Sequence, residues 1–466
     1  MLRQGGKWLV VTSGRYSKTR FVARIASRGP NILRTKQAAA SQYPAPDSAL
    51  AISHPPAVIA GFAGWLFDAY DFFLVVFSLT AIARDFHKTD SRIALVITMT
   101  LAFRPVGGFL FGLFGDRYGR RIPLMVNIGF FAVAEILTGL APNYTTLLFV
   151  RALFGVVMGG NWGVGASLAM EGSPAGRRGI FSGLLQEGYA AGNVLAALCY
   201  FLLFPRVGWR PLFFVGSLPA LLLLLYIWLC VQESAVWQER KGASQTWSQQ
   251  MTGVFSHWKL FLYLLVFMTM MLFASHGTQD MYPTFLQRQW HFGPTRRAAI
   301  TGLSGIGAVI GGITFGHFSD KWGRRRAVIA AFVLGAAVIP VWAYASNEVW
   351  LVAGAFAMQF MVQGAWGVVP AHLAELSPGS VRALLPGFAY QSAGVIASSV
   401  VYLEAAYAQK ASYATAMALT AISVFVLAAM MAAFGPERRG MPLLTSVESK
   451  FAAGGTDAIN GTGTES

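Results

Sequence analysis

The chain has 466 residues, of which 55% are hydrophobic and only 12% charged. Globular proteins average about 25% charged residues, so this composition excludes a soluble enzyme and a disordered chain and indicates a protein whose solvent is largely lipid. The two cysteines, Cys199 and Cys230, lie in apolar runs. We therefore expect no disulfide framework, no metal site and no bound cofactor.

The formal net charge is +16, and half of it lies in residues 1–56, which carry nine basic residues and one acid, Asp47. Most remaining bases stand in short segments between apolar runs. Retention of Lys and Arg on the cytoplasmic side of a membrane explains this pattern better than contact with a nucleic acid. Residues 1–56 are predicted to form a basic, disordered cytoplasmic tail, with an over-extended gene start or an organellar transit peptide as the alternatives. No nucleic-acid partner is expected.

A helix needs about 20 apolar residues to cross a bilayer. Twelve segments meet this requirement: 57–83, 93–114, 122–141, 145–171, 178–204, 211–232, 259–285, 298–318, 327–345, 348–374, 383–403 and 412–434. They predict an all-α integral membrane protein whose termini lie on the same side. The segments on that side hold 25 Lys and Arg against nine on the other, which predicts a cell-membrane protein with both termini in the cytoplasm.

Residues 233–258 form the longest polar interruption between spans. We predict that this segment is a cytoplasmic linker between two six-helix halves, 57–232 and 259–434. The remaining residues, 435–466, are rich in Gly, Ser and Thr towards their end and are predicted to form a second disordered cytoplasmic tail.

An offset of 204 residues aligns the two halves without a gap. Among the matched pairs are Asp116 with Asp320, Trp162 with Trp366, Glu171 with Glu375, and Arg178 with Arg382. Two parallel repeats of this kind predict a pseudo-twofold axis along the membrane normal and a site at the midplane between the halves. Rocking of one half against the other then gives alternating access, which is the architecture of a transporter.

Two loops, GLFGDRYGRR at 112–121 and GHFSDKWGRRR at 316–326, resemble the loop motif of the major facilitator superfamily. The resemblance covers about 57–440 and implies that these loops form a conformational lock, in which the Asp accepts hydrogen bonds from a helix N-terminus and a nearby Arg. The alternative is that their bases only anchor topology. The implied lock residues are Gly112, Asp116, Arg117, Gly119, Arg120, Arg121, Gly316, Asp320, Lys321, Gly323, Arg324 and Arg325, with Arg151 from a second motif, Arg-x-x-x-Gly-x-x-x-Gly.

The seventh span carries a polar run from Ser275 to Asp280. His276, Gln279 and Asp280 are three or four residues apart and share one helical face. Such a face can bind a carboxylate and a proton together, because Gln donates and accepts, His titrates near neutral pH and a desolvated Asp can hold a proton. A polar network that only packs helices is the alternative.

This run is similar to the motif N-x-x-S/T-H-x-S/T-Q-D-x-x-x-T of lactate and pyruvate permeases in the sialate:proton symporter branch, although Leu272 replaces its Asn. The segments 65–75 and 171–192 also resemble that branch. The resemblance implies that Gln391 is a binding position. It also shows Glu187 where those permeases carry a neutral Gln.

Ionisable side chains within a membrane are costly and mark functional sites. Asp280, with Glu187 as its competitor, and Asp68 and Asp71 are therefore candidates for proton coupling. Arg104 is the candidate counter-charge for an anionic substrate, because a guanidinium matches a carboxylate bidentately. Its alternative role is a structural pair with Asp68 or Asp71.

The sequence thus predicts a secondary transporter that couples protons to small organic anions, with lactate or pyruvate as the first substrate hypothesis. A sialate, sugar-acid or aromatic-acid symporter is the second, and a transport-deficient membrane sensor is the alternative from another class. The expected partners are an organic anion, a proton and the lipid bilayer, and the chain is expected to be a monomer. The sequence holds no G-x-x-x-x-G-K-[ST] loop, which argues against an ATP-driven pump.

Overall fold

The computed structural model describes residues 54–240 and 247–443, and the predicted tails at 1–56 and 435–466 lie largely outside them. Twelve helical segments in the described ranges are long and apolar enough to cross a membrane, which confirms the twelve predicted spans. The elements of these ranges are helices only.

The helices are α1 (His54–Asp85), α2 (Asp90–Tyr118), α3 (Arg121–Leu140), α4 (Tyr144–Glu171), α5 (Arg178–Gln186), α6 (Gly188–Val207), α7 (Arg210–Cys230), α8 (Ala235–Arg240), α9 (Trp247–Ser256), α10 (Trp258–Gln279), α11 (Tyr282–Arg288), α12 (Pro294–Trp322), α13 (Arg324–Ala343), α14 (Glu348–Leu376), α15 (Leu384–Ala397), α16 (Ser399–Ala408) and α17 (Tyr413–Phe434). A 3₁₀ turn, Gly379–Val381, precedes α15. The predicted linker 233–258 contains α8 and α9.

Three predicted spans are each divided into two helices. The divisions lie at Glu187 between α5 and α6, at Asp280 and Met281 between α10 and α11, and at Ser398 between α15 and α16. Each pair of helices still forms one candidate membrane span, as predicted. Discontinuous membrane helices expose backbone groups where they line a site, and two of the three divisions carry predicted proton-coupling residues.

The internal repeat reappears in the way helices pack. A Cβ atom added to Gly107 of α2 would lie 1.8 Å from the carbonyl oxygen of Val156 on α4. At the equivalent place in the second half, a Cβ on Gly311 of α12 would lie 2.0 Å from the carbonyl oxygen of Phe360 on α14. Both helix pairs are in backbone contact, as small residues allow in membranes.

We expect Gly311→Ala to lower the free energy of unfolding by about 1–3 kcal/mol, because the added methyl group must push α12 from α14. Gly302→Ala in the same helix is the matched control, since no atom lies within 4 Å of its added Cβ. Thermal unfolding of the purified protein in detergent measures both. Equal unfolding midpoints for the two variants would show that this contact does not hold the helices together.

Candidate functional site

The first and second halves meet at Tyr390 of α15, where three tryptophans surround its ring. The ring centroids of Trp65, Trp162 and Trp366 lie 5.9, 4.7 and 5.7 Å from that of Tyr390. The indole nitrogens of Trp65 and Trp366 are buried and have no hydrogen-bond partner. These four residues, which we call the aromatic centre, therefore offer two unused donors between the halves.

Arg104 of α2 lies beside the aromatic centre, with its guanidinium carbon 5.9 Å from the Tyr390 ring centroid. Its Nε has no hydrogen-bond partner. The alternative pairing with Asp68 or Asp71 is not seen: Asp71 pairs with Arg151, and Asp68 accepts a hydrogen bond of 2.9 Å from Asn161. Within the described ranges, Arg104 forms no ion pair.

Arg151 is not part of the predicted lock. Its two terminal nitrogens donate to the two carboxylate oxygens of Asp71 at 2.8 and 2.6 Å, inside the first half. Glu135 of α3 lies against this pair, fully buried, and neither of its oxygens accepts a hydrogen bond. Two carboxyl groups thus share the surroundings of one guanidinium. The sequence marks Glu135 as an ionisable residue within a span but assigns it no specific role.

The polar run of α10 faces two environments. Nδ1 of His276 lies 3.0 Å from a carboxylate oxygen of Asp280, and their side chains are 41% and 39% exposed. The expectation that burial desolvates Asp280 is therefore wrong, because α10 ends at Gln279 and leaves the pair accessible. Gln279 instead donates to Gln359 of α14 at 2.7 Å, so part of the run packs helices together.

Glu187 lies at the division between α5 and α6, buried against the other half. An added Cβ on Gly312 of α12 would lie 2.1 Å from its Oε1, which has no hydrogen-bond partner. An ionised carboxylate in such a buried place costs free energy unless a cation lies beside it, and binding of a proton removes the charge. Gln391 is also at the junction of the halves, where it donates to the backbone oxygen of Gly159 at 3.2 Å.

Glu404 of α16 is a second buried carboxyl group that the sequence marks as ionisable within a span but to which it assigns no specific role. Neither of its oxygens makes a hydrogen bond that satisfies both distance and angle. An added Cβ on Gly277, between His276 and Asp280, would lie 3.3 Å from it. The position is thus close to the predicted binding face of α10.

The first loop motif joins the two halves. The carboxylate of Asp116 accepts hydrogen bonds of 3.0 Å from the backbone nitrogens of Ala383 and Leu384, at the start of α15. Arg120 pairs with Asp116 at 2.9 Å and with Glu171 at 2.9 Å. Burial alone would lower the pKa of Arg120, but the carboxylates of Glu171 and Asp116 raise it above its usual value, so the cation persists.

The second motif repeats this arrangement in reverse. Asp320 accepts hydrogen bonds from the backbone nitrogens of Gly179 and Ile180 at the start of α5, at 2.8 and 3.3 Å. Arg324 pairs with Asp320 at 2.8 Å and with Glu375 at 2.9 Å. A carboxylate at a helix N-terminus is stabilised by the helix dipole, and here each helix belongs to the opposite half.

Two further ion pairs cross between the halves, Arg382 with Glu171 and Arg178 with Glu375, each at 3.3 Å. The sequence repeat matches Arg178 with Arg382 and Glu171 with Glu375. Only the fold shows that each arginine pairs with the glutamate of the opposite half. We call the end of the bundle that holds both networks the lock face. In this conformation the lock face is closed.

The other predicted lock residues have supporting positions. Gly119 and Gly323 have φ values of 100° and 102°, which favour glycine. Added Cβ atoms on Gly112 and Gly316 would lie 2.6 and 2.4 Å from backbone atoms of the opposite half. The guanidinium carbon of Arg117 lies 4.2 Å from the centroid of the Trp247 ring. Arg121 donates to the carbonyl of Trp228, and Arg325 donates to the carbonyls of Ala432 and Ala433. The carbonyl of Lys321 accepts a hydrogen bond from Arg439.

Two sequence families match the chain. "Sugar (and other) transporter" matches residues 56–260, and "Major Facilitator Superfamily" matches residues 273–454. A carboxylic acid transporter protein homolog of Saccharomyces cerevisiae is 29% identical over 435 residues, which cover 84% of this chain and 69% of that protein. A putative metabolite transport protein of Haemophilus influenzae is 30% identical over 399 residues, which cover 83% of this chain and 97% of that protein.

The proton:xylose symporter XylE has the same fold. Its crystal structure superposes with a TM-score of 0.69 at 17% identity and covers 83% of this chain and 97% of that one. At this identity the likeness concerns the fold alone.

Proposed function

This chain belongs to the major facilitator superfamily, and we propose that it couples the inward movement of protons to that of small organic anions. It is a multi-pass membrane transporter rather than an enzyme. Lactate and pyruvate are the first substrate hypothesis, and alternating access between the two halves is the mechanism. The carboxylic acid transporter homolog of yeast supports an organic acid as substrate.

The observation that carries this proposal is the unpaired Arg104 beside the aromatic centre. Arg104 is half-buried and, among the described residues, forms no ion pair with a carboxylate, so its charge is available to an anion, and its fork fits a carboxylate bidentately. The free indole donors of Trp65 and Trp366 can then bind the same anion. His276 and Gln279, on the α10 face, and Gln391 are the further candidate contacts.

Asp280 is the first candidate for the proton. With the lock face closed, its exposed carboxyl group can exchange a proton with water, and in the protonated form it would donate to a substrate carboxylate. Glu187 is the competing candidate, since it is buried between the halves without a partner. Asp71 is engaged by Arg151 through both oxygens. Asp68 accepts from Asn161 through one oxygen, and within the described ranges its buried Oδ1 has no hydrogen-bond partner.

The aromatic centre favours a second candidate substrate class. Tryptophan and tyrosine rings stack on planar molecules and add to the binding energy of an aromatic ring. An aromatic acid such as benzoate is therefore the second candidate substrate, with Arg104 as the partner of its carboxylate.

The placement of the chain in the membrane is part of the proposal. We place the lock face at the cytoplasm of the cell, because the excess of Lys and Arg lies at the loops of that face. The proposal also includes two halves, at 57–232 and 259–434, that a linker at 233–258 joins. It includes a monomeric state as well. The lock pairs of both halves lie within one chain, which supports a monomer.

Uptake of labelled lactate, benzoate and N-acetylneuraminate by transporter-null cells, with and without a protonophore, tests the function and separates the substrate classes. We expect accumulation of one class that the protonophore abolishes. Binding without accumulation would instead identify a sensor on a transporter fold.

Arg104→Ala is expected to weaken apparent substrate affinity by about 2–5 kcal/mol, because a buried charge pair with the substrate is lost. Arg104→Lys keeps the charge but loses the fork, so its loss of affinity should be smaller though marked. Initial uptake rates over a range of substrate concentrations measure both. Unchanged affinity in the two variants would give Arg104 a structural role.

Asp116→Asn and Asp320→Asn are expected to lower turnover and to leave substrate affinity within a few fold. Both changes remove the charge that holds a helix of the opposite half, and neither residue contacts the aromatic centre. Maximal uptake rate and direct binding to the purified protein separate the two quantities. Loss of binding in a folded variant would overturn the role of these residues as a lock.

A further inference from the structure

A cavity of about 750 Å³ lies at the lock face of the second half, outside the transport site. It lies where the turn between α12 and α13 meets the segment after α17. Its lining residues are Trp322, Gly323, Arg325, Arg326, Ile329, Glu437, Arg438, Arg439 and Met441. Four arginines against one glutamate make this arginine cavity strongly positive.

The internal repeat shows which of these charges the fold itself needs. In the first half, Arg121 donates to the backbone oxygen of Trp228 at the end of α7. At the position 204 residues later, Arg325 donates to the backbone oxygen of Ala432, at the end of α17. Arg325 is therefore the counterpart of Arg121, and both are scaffold residues, whose side chains hold neighbouring helices of one half together.

The single acid of the cavity is also a scaffold residue. Glu233 accepts hydrogen bonds from the backbone nitrogens of Arg120 and Arg121. Its repeat partner, Glu437, accepts from those of Arg325 and Arg439 at 2.9 and 3.1 Å. The Glu437 oxygens accept these backbone hydrogen bonds, and among the described residues Glu437 forms no ion pair with the surrounding guanidinium groups.

Three arginines have no counterpart in the first half. The repeat partners of Arg326, Arg438 and Arg439 are Ile122, Ser234 and Ala235. Arg439 donates to the backbone oxygen of Lys321. In the described part of the chain, the side chains of Arg326 and Arg438 make no hydrogen bond or ion pair, and both are exposed. The second half has thus gained cations that its packing does not use.

Aromatic side chains of the bundle surface adjoin the arginine cavity. Trp322, 51% exposed, stacks on Phe318 with ring centroids 5.0 Å apart. Phe434, at the end of α17, is 85% exposed. Exposed tryptophan rings such as that of Trp322 are enriched at the level of lipid headgroups on membrane proteins. The cavity therefore opens where a headgroup would lie.

We propose that the arginine cavity binds a phosphate-bearing anion, with the phosphodiester of an anionic phospholipid as the expected source. Guanidinium forks match phosphate oxygens in geometry and charge. A soluble phosphate compound offers the same chemistry without the lipid chains.

The test is native mass spectrometry of the purified full chain, released from nanodiscs of phosphatidylcholine with one-fifth phosphatidylglycerol. We expect retained phosphatidylglycerol in the wild type. Arg326→Ala and Arg438→Ala should each weaken retention about five-fold, as expected for a loss of about 1 kcal/mol per cation near a membrane surface. Arg177→Ala, which removes another exposed arginine of the lock face, is the matched control and should retain lipid like the wild type.

Competition with inorganic phosphate separates the two sources. If millimolar phosphate leaves the retention of phosphatidylglycerol unchanged, the ligand is the lipid. If the protein binds phosphate in nanodiscs of pure phosphatidylcholine, and Arg438→Ala abolishes that binding, the ligand is a soluble phosphate compound. Equal retention in the wild type, both cavity variants and Arg177→Ala, without phosphate binding, overturns the proposal. Arg438 lies in an exposed segment after α17, so its variant serves if Arg326→Ala does not fold.

Discussion

Arg151→Ala is expected to lower the free energy of unfolding by about 3–5 kcal/mol, because it leaves buried carboxyl groups without their cation. Asp71 would lose both of its hydrogen bonds from Arg151, and no other cation pairs with it in the described part of the chain. Thermal unfolding of the purified protein, followed by tryptophan fluorescence, measures the effect.

The pair of Arg296 with Glu348 is the matched control. Its side chains are 66% and 48% exposed and 3.7 Å apart, so Arg296→Ala should cost less than about 1 kcal/mol. In addition, the double variant of Arg151→Ala with Asp71→Ala should lose less free energy of unfolding than the two single variants lose together. The second change removes the carboxylate that the first leaves without a cation. An unfolding midpoint of Arg151→Ala equal to that of Arg296→Ala would contradict the assigned role of the pair.

Asp280→Asn is expected to abolish proton-driven accumulation while exchange of labelled for unlabelled substrate continues. The amide cannot deliver a proton, but it keeps the size of the side chain and can still contact a carboxylate. Accumulation under an imposed pH gradient and exchange without a gradient are measured on the same reconstituted variant.

Glu187→Gln is the companion variant and should leave accumulation largely intact. The neutral amide fits the buried position against Gly312, where the carboxylate has no partner. The opposite pattern, with Glu187→Gln uncoupled and Asp280→Asn active, would assign the proton to the division between α5 and α6.

The spans and the repeat could be predicted from the sequence because both are local or periodic patterns. Asp116 and Asp320 were found through their loop motif. The partners of these networks, Arg382 and Arg178, were visible as repeat matches, but their pairing with Glu171 and Glu375 depends on the approach of one half to the other. Such contacts join residues about 200 positions apart and leave no local signal.

The aromatic centre could not be predicted, since four different helices contribute to it. Trp162 and Trp366 were matched by the repeat, which is the one signal that pointed to them. Tyr390 carried none. The environment of Asp280 was mistaken for a buried one because its apolar neighbours, such as Met281, suggested a continuous span, whereas α10 ends just before it.

The central claim is that movement of an organic anion is coupled to that of a proton. The most direct measurement uses the purified chain in proteoliposomes with a trapped pH indicator and labelled lactate, benzoate or N-acetylneuraminate outside. With the outside acidic, we expect one of these acids to accumulate above its external concentration and to speed the acidification of the lumen. A protonophore, which collapses the pH gradient, should abolish the accumulation. Uptake that stops at equal concentrations and does not respond to the direction of the pH gradient would contradict the account.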